Sequence, residues 1–144
     1  MIPLRVLTLI VARPNQPSVL VLEAIEESPE GKTRVIPIWI GPNEAAQISL
    51  AIENVHPARP LTHDLFLDTI TNLDARVDHV VIHEVRKQTF YAHLFLTQGG
   101  RLIELDARPS DALALAIRQG APFYADEEVL EKASFPPLFK PHLN

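Results

Sequence analysis

Trp39-Ile40-Gly41-Pro42-Asn43-Glu44-Ala45-Ala46-Gln47-Ile48-Ser49-Leu50 and Asp106-Ala107-Arg108-Pro109-Ser110-Asp111-Ala112-Leu113-Ala114-Leu115-Ala116-Ile117 are two versions of one pattern. Each reads Pro, an amide or hydroxyl side chain suited to capping, an acid, Ala, and then Ile or Leu at helical spacing. Proline interrupts a strand ladder, and an acid in the first turn complements the free amides of a helix start. Both stretches therefore predict a corner where a strand ends and a helix begins. Two such corners in one short chain predict a duplicated unit.

The flanking sequence fits that reading. Arg5–Ala12, Ser18–Ile25 and Thr33–Ile40 precede the first corner as β-rich runs, separated by Arg13-Pro14-Asn15-Gln16-Pro17 and by the polar stretch Glu26–Lys32. Val77–Arg86, Thr89–Thr97 and Arg101–Asp106 precede the second, the last two joined across Gln98-Gly99-Gly100. Ala45, Ile48, Ile52 and Val55 give the first corner's helix its apolar stripe, and Pro109–Gln119 follows the second until Gly120 and Pro122 stop it. Between the copies, Pro57 and Pro60 break the chain and another helix begins at Thr62. Thr62 is its expected N-cap, Leu61 with Phe66 its hydrophobic staple, and Phe66, Ile70 and Leu73 its apolar stripe. Phe123-Tyr124 predicts a last short strand, and Asp126–Ala133 a short helix capped by Asp126. The expected fold is a single α+β domain over residues 1–134, followed by a Pro-rich tail, 135–144. Within the domain a three-strand meander plus helix occurs twice, as mainly antiparallel sheets packed with helices.

A chain of 144 residues, 47% hydrophobic and 22% charged, suits one sizeable core. It has no cysteine, so disulfides, thiolate metal sites and cysteine nucleophiles are all excluded. The start, Met1-Ile2-Pro3-Leu4-Arg5, has no basic region leading into a long apolar core, and no apolar run reaches the length of a membrane span. A cytoplasmic protein without a membrane partner is expected. The net charge of −5 opposes polyanion binding in bulk, although a local cluster can override the global field.

Chemistry concentrates at the corners. Asp106-Ala107-Arg108-Pro109-Ser110-Asp111 packs two carboxylates, a guanidinium and a hydroxyl into the end of one strand. Asp106 and Asp111, joined by Glu44 from the other corner, could hold Mg²⁺ or Mn²⁺ through oxygen while Arg108 grips a phosphate. Metal-assisted phosphodiester cleavage needs that combination. The structural alternative is an internal network in which Arg108 locks its own corner and the acids serve only the helix starts. Arg59-Pro60-Leu61-Thr62-His63-Asp64 is the second constellation. There His63 with Asp64 could activate water and Arg59 steer a phosphate, or Asp64 could merely complement the helix dipole beside a solvated His63. His79 and His83 share a strand face about 13 Å apart, too far for one metal, while His83 and His93 could approach across a hairpin. No Walker loop or dinucleotide glycine fingerprint is present.

The runs Ile36-Pro37-Ile38-Trp39-Ile40-Gly41, Arg59-Pro60-Leu61-Thr62-His63-Asp64-Leu65, Thr89-Phe90-Tyr91-Ala92 and Asp106-Ala107-Arg108-Pro109-Ser110-Asp111-Ala112, with Ala114-Leu115-Ala116-Ile117 and Gly120-Ala121-Pro122, resemble the bifunctional nuclease domain family. The resemblance runs in order from about Val6 to Ala133. It implies a compact α+β domain common in bacteria and found in plants, where members are described as degrading DNA and RNA. It supplies no catalytic assignment. The expected function is a metal-assisted nuclease acting on DNA and RNA with little sequence specificity, in which nucleic acid is the partner and the protein is a homo-oligomer. The rival expectation is a non-catalytic oligomeric binding or regulatory module whose corners are structural clasps.

Overall fold

A computed structural model describes residues 1–11 and 16–134 of the chain. The first expected turn lies mostly outside these residues, and the Pro-rich tail lies wholly outside them. The elements run β1 (Ile2–Ile10), β2 (Ser18–Ala24), β3 (Val35–Ile40), α1 (Pro42–Ile52), α2 (Thr62–Asn72), β4 (Ala75–Arg86), β5 (Thr89–Gln98), β6 (Arg101–Ala107), α3 (Pro109–Gln119), β7 (Phe123–Ala125) and α4 (Glu127–Ala133). Three strands followed by a helix occur twice, with α2 between them. It is this repeated order, not descent by duplication, that the fold establishes.

The seven strands of the described residues join one sheet, in the order β3-β2-β1-β7-β4-β5-β6. Each meander is antiparallel throughout. β1 and β4 do not pair with each other. The three residues of β7 sit between them, antiparallel to β1 and parallel to β4. The expected α+β domain of mainly antiparallel strands is thus realised as one curled sheet, in which the parallel contact found among the described residues is that of β7 with β4. The sheet curls enough for Arg34, beside one edge, to bond Glu127 of α4 through both carboxylate oxygens at 2.9 Å. At the β5–β6 hairpin, Gly99 and Gly100 both take positive φ (55° and 80°), the conformation that a two-residue turn requires.

Both corners form as strand-to-helix junctions, but their caps differ from the pattern read in sequence. Pro42 and Pro109 open the helices, so the N-caps are Gly41 and Arg108, and neither makes a side-chain cap bond. Proline's fixed φ suits the first helical position, where a missing N–H costs nothing. Asn43 and Ser110 are therefore inside the first turn. Likewise Leu61, not Thr62, is the N-cap of α2. Leu61 has no side-chain acceptor, so only half a capping box forms: its N–H donates to Asp64 Oδ2 at 3.0 Å. With the start shifted by one residue, the Leu61–Phe66 staple loses its register.

The helices differ sharply in burial. In α3, Ala112 through Ala116 are all buried, alternating small and large side chains against the sheet, as expected of a helix enclosed on every side. In α2 only Ile70 is buried, while Leu65, Phe66 and Leu73 are exposed. The predicted stripe of α2 is therefore reduced to one anchor. α1 stops at Ile52, before Val55, where Asn54 adopts φ 55°. α2 has little apolar burial to hold it, which gives its polar contacts unusual weight.

Candidate functional site

The two corners face each other across one cleft. α1 and α3 pack together, and Arg108 Nη2 of the second corner lies 3.6 Å from Glu44 Oε2 of the first. Gly41 helps: a Cβ at that position would collide with the Glu44 carboxylate, so the missing side chain lets Glu44 fold against its own corner. The cleft is a cavity of about 660 Å³ lined by both corners, by α2 through Thr62, His63 and Phe66, and by the apolar floor of Leu94, Leu105 and Leu115.

Asp111 is the hub. Arg108 donates from Nε to Oδ2 at 2.8 Å and from Nη2 to Oδ1 at 3.1 Å, a forked contact within one turn. His63 Nε2 reaches Oδ1 at 3.0 Å, tying α2 to α3. Burial alone would raise the Asp111 pKa, but the hydrogen bonds from Arg108 and His63 outweigh it and hold the carboxyl below its ordinary value. His63 is largely enclosed, and its other ring nitrogen, Nδ1, is buried without a partner among the described residues.

Asp64 is engaged elsewhere. Its Oδ2 accepts from Leu61 N–H, and its Oδ1 accepts from Arg118 Nε at 3.0 Å, the Arg118 side chain being only 8% exposed. Arg118 also donates to the Ala114 carbonyl and to Gln47 Oε1. Burial opposes the ionised form of Asp64, yet the Leu61 and Arg118 hydrogen bonds prevail and lower its pKa. Adjacent residues of α2 thus take different partners on α3: His63 meets Asp111, and Asp64 meets Arg118. The expected partnership of His63 with Asp64 in water activation is not one the structure assembles. Arg118 was missed in the sequence, although it stands two helical turns beyond Asp111 and so on the same face of α3.

Of the other predicted residues, Glu44 and Arg108 are in the cleft, Arg108 with 64% of its side chain exposed. Asp106 borders it at the end of β6. Asp106 pairs across the ladder with His93, whereas its neighbour Leu105 pairs with the buried Leu94. Alternation along the strand therefore sends its Cβ to the sheet face opposite the cleft floor. Arg59 is exposed in the loop before α2 and does not line the cleft. His83 and His93 do approach, stacking with centroids 3.8 Å apart, while His79 stacks on Phe95 and bonds Asp78.

The expected divalent cation finds no prepared seat. Both Asp111 oxygens are committed, and among the described residues no three His, Asp or Glu side chains gather so as to hold a metal. Among the same residues no helix is long and apolar enough to cross a membrane.

Comparison with known proteins agrees with this layout. The model of the bifunctional nuclease domain matches residues 24–137. An uncharacterized protein of Mycobacterium tuberculosis is 44% identical over 119 residues, covering 83% of this chain and 67% of that protein. Bifunctional nuclease 2 of Oryza sativa subsp. japonica is 32% identical over 96 residues, 65% of this chain but 30% of the rice protein. Bifunctional nuclease 1 of the same rice is 26% identical over 128 residues, 87% of this chain and 37% of its own. The repeated corners, the interposed helix and the matched span together show that this chain belongs to the bifunctional nuclease domain family.

Proposed function

We propose that this chain hydrolyses phosphodiester bonds of DNA and RNA with little sequence specificity, in the cleft between the two corners. The observation that carries this reading is the convergence of His63 and Arg108 on Asp111 beside open space. Asp111 fixes the imidazole by accepting from Nε2–H, which leaves the lone pair on Nδ1; that atom is buried, so the cleft must open beside it before it takes a proton from an attacking water. Arg108 spends Nε and Nη2 on Asp111 and keeps further N–H groups for a phosphate oxygen. An apolar floor and a backbone-only grip on the substrate would make cleavage indifferent to base sequence. A cation arriving with the phosphate would meet the Glu44 carboxylate in the cleft, while Asp106 stands on the other face of the sheet. A cytoplasmic site of action suits a chain without cysteine.

The test is cleavage of labelled single- and double-stranded DNA and RNA, run with Mg²⁺, with Mn²⁺ and with a chelator. We expect the wild type to cut both polymers and His63→Ala to lose at least about a hundredfold in rate. Equal cutting by a folded His63→Ala protein would move the chemistry elsewhere. No cutting by either in any arm would favour the second reading, a binding or regulatory module in which Glu44, Arg108 and Asp111 clasp the helices together.

Self-association through β6 belongs to the same proposal. β6 is an edge strand carrying exposed Leu102 and Leu105, near the exposed apolar residues of α2, whereas the opposite edge, β3, is protected by Pro37. The expected result is a solution mass of at least two chains that falls to one on Leu102→Lys substitution. A monomeric wild type at micromolar concentration would remove this part of the reading.

A further inference from the structure

A second surface runs out of the cleft and has no role so far. Arg108 and Glu44 line both the main cleft and a neighbouring cavity of about 250 Å³, which also touches Gly41, Trp39 and Phe90. Trp39 and Phe90 in turn line a third cavity of about 390 Å³, together with Pro37, Lys87 and Lys132. The three form one groove leading from the Arg108 guanidinium to an indole that is 64% exposed on an otherwise buried strand. Ile38 and Ile40, on either side of Trp39, point into the core, so alternation directs the indole outward.

The turn beside it is built against local preference. Lys87 and Gln88 both adopt positive φ (48° and 68°), a two-residue turn that favours Asn-Gly. Gly99-Gly100 satisfies the same requirement one hairpin later. Non-glycine residues persist in such a conformation when their side chains are useful where they stand. Here they bring a lysine and an amide to the groove, with Gln88 and Phe90 facing Trp39. Lys132, on the other wall, is paired with Glu128 at 2.8 Å.

We propose that Trp39 and Phe90 form a stacking subsite for a nucleobase next to the phosphate position at Arg108, so that the protein takes nucleic acid as a single strand. An indole and a phenyl ring offer an apolar face to any base, and cations on both sides suit the flanking phosphates. In a duplex the bases are stacked on one another and cannot reach this wall. The inference rests on the nuclease reading for its phosphate position, but it is read by binding and not by cleavage.

Trp39 is the sole tryptophan, so its fluorescence reports this groove alone. The probe is a short oligo(dT) strand in chelator, compared with a duplex of equal length and with inorganic phosphate. We expect the single strand to quench Trp39 and the duplex and phosphate not to. Binding followed on a labelled strand should weaken about tenfold in Trp39→Ala and be largely retained in Trp39→Phe. The double variant Lys87→Asn/Gln88→Gly should melt a few degrees higher, because the turn is relieved, yet bind more weakly. Binding untouched by Trp39→Ala, in a protein that still cleaves, would overturn the subsite and leave the nuclease reading intact. Absence of both binding and cleavage would sink the two together. Trp39 emission that ignores oligonucleotide but shifts with protein concentration, or on removal of residues 135–144, would assign the groove to a second copy or to the tail instead.

Discussion

Asp64→Ala is expected to lower the melting temperature by about 10 °C without altering the sheet. The substitution strips Arg118 of its carboxylate while leaving the guanidinium almost enclosed, and it leaves the Leu61 N–H at the start of α2 without its acceptor. Removing one member of a buried pair costs about 3 kcal/mol at the lower end of its range, appropriate here because Ala114 and Gln47 still receive Arg118. For a chain of this size each kcal/mol is worth about 3 °C. α2 has one buried residue to resist the change. Hydrogen exchange should therefore accelerate in α2 before it does in α3. The sign with pH follows from the lowered Asp64 pKa. Its contribution is fully present above the unfolded value, 3.8, and is lost as pH falls through the still lower folded value. The gap between wild type and Asp64→Ala should accordingly be widest near neutrality and close in acid. Thermal scans at a series of pH values measure this, and a constant gap down to strongly acid pH would contradict it.

Asp111→Asn should cost cleavage at least about a hundredfold, with little change in overall fold. The carboxylate presents acceptors to three donors: Arg108 Nε, Arg108 Nη2 and His63 Nε2. An amide has one oxygen. If that oxygen faces Arg108 Nε, its NH₂ group meets the His63 nitrogen and pushes the imidazole into the tautomer with the proton on Nδ1. Nδ1 then has no lone pair for water. If the amide flips, an N–H opposes the guanidinium and the forked contact is lost. Either arrangement breaks the fork, and the first also reverses the His63 tautomer, because Oδ1 accepts from both Arg108 Nη2 and His63. Nitrogen NMR of His63 separates the tautomers, and an unchanged rate together with an unchanged tautomer would disprove the assignment.

Residues local in sequence revealed their structure readily, and those that depend on distant partners did not. The corners were legible because Pro, acid and the apolar spacing act within one turn, and both became strand-to-helix junctions. Their mutual approach was not, since the Arg108–Glu44 contact exists only after the sheet has curled and α1 has met α3. His63 and Asp64 stood out as neighbours, yet adjacent helical side chains diverge by about 100°, and each found its own partner on α3. Arg118 looked like an ordinary cation at a helix end. Asp106 looked equivalent to Asp111 until strand alternation gave it to His93. Phe66 and Leu73 read as core by periodicity, but no element covers that side of α2 among the described residues.

β7 carries a consequence for synthesis. β1 belongs to the first meander and β4 to the second, and the sheet joins them only through Phe123–Ala125, close to the end of the described chain. As the polypeptide leaves the ribosome, the first meander and α1 emerge early but must wait, with the inner edge of β1 unpaired, for most of the remaining chain to follow. During that interval β1 is a free template for any strand nearby, including the same strand on a neighbouring polysome. Translation pauses before residue 123 would lengthen the exposure, and a chaperone that shields β1 would act on this protein at that stage and not on the finished fold.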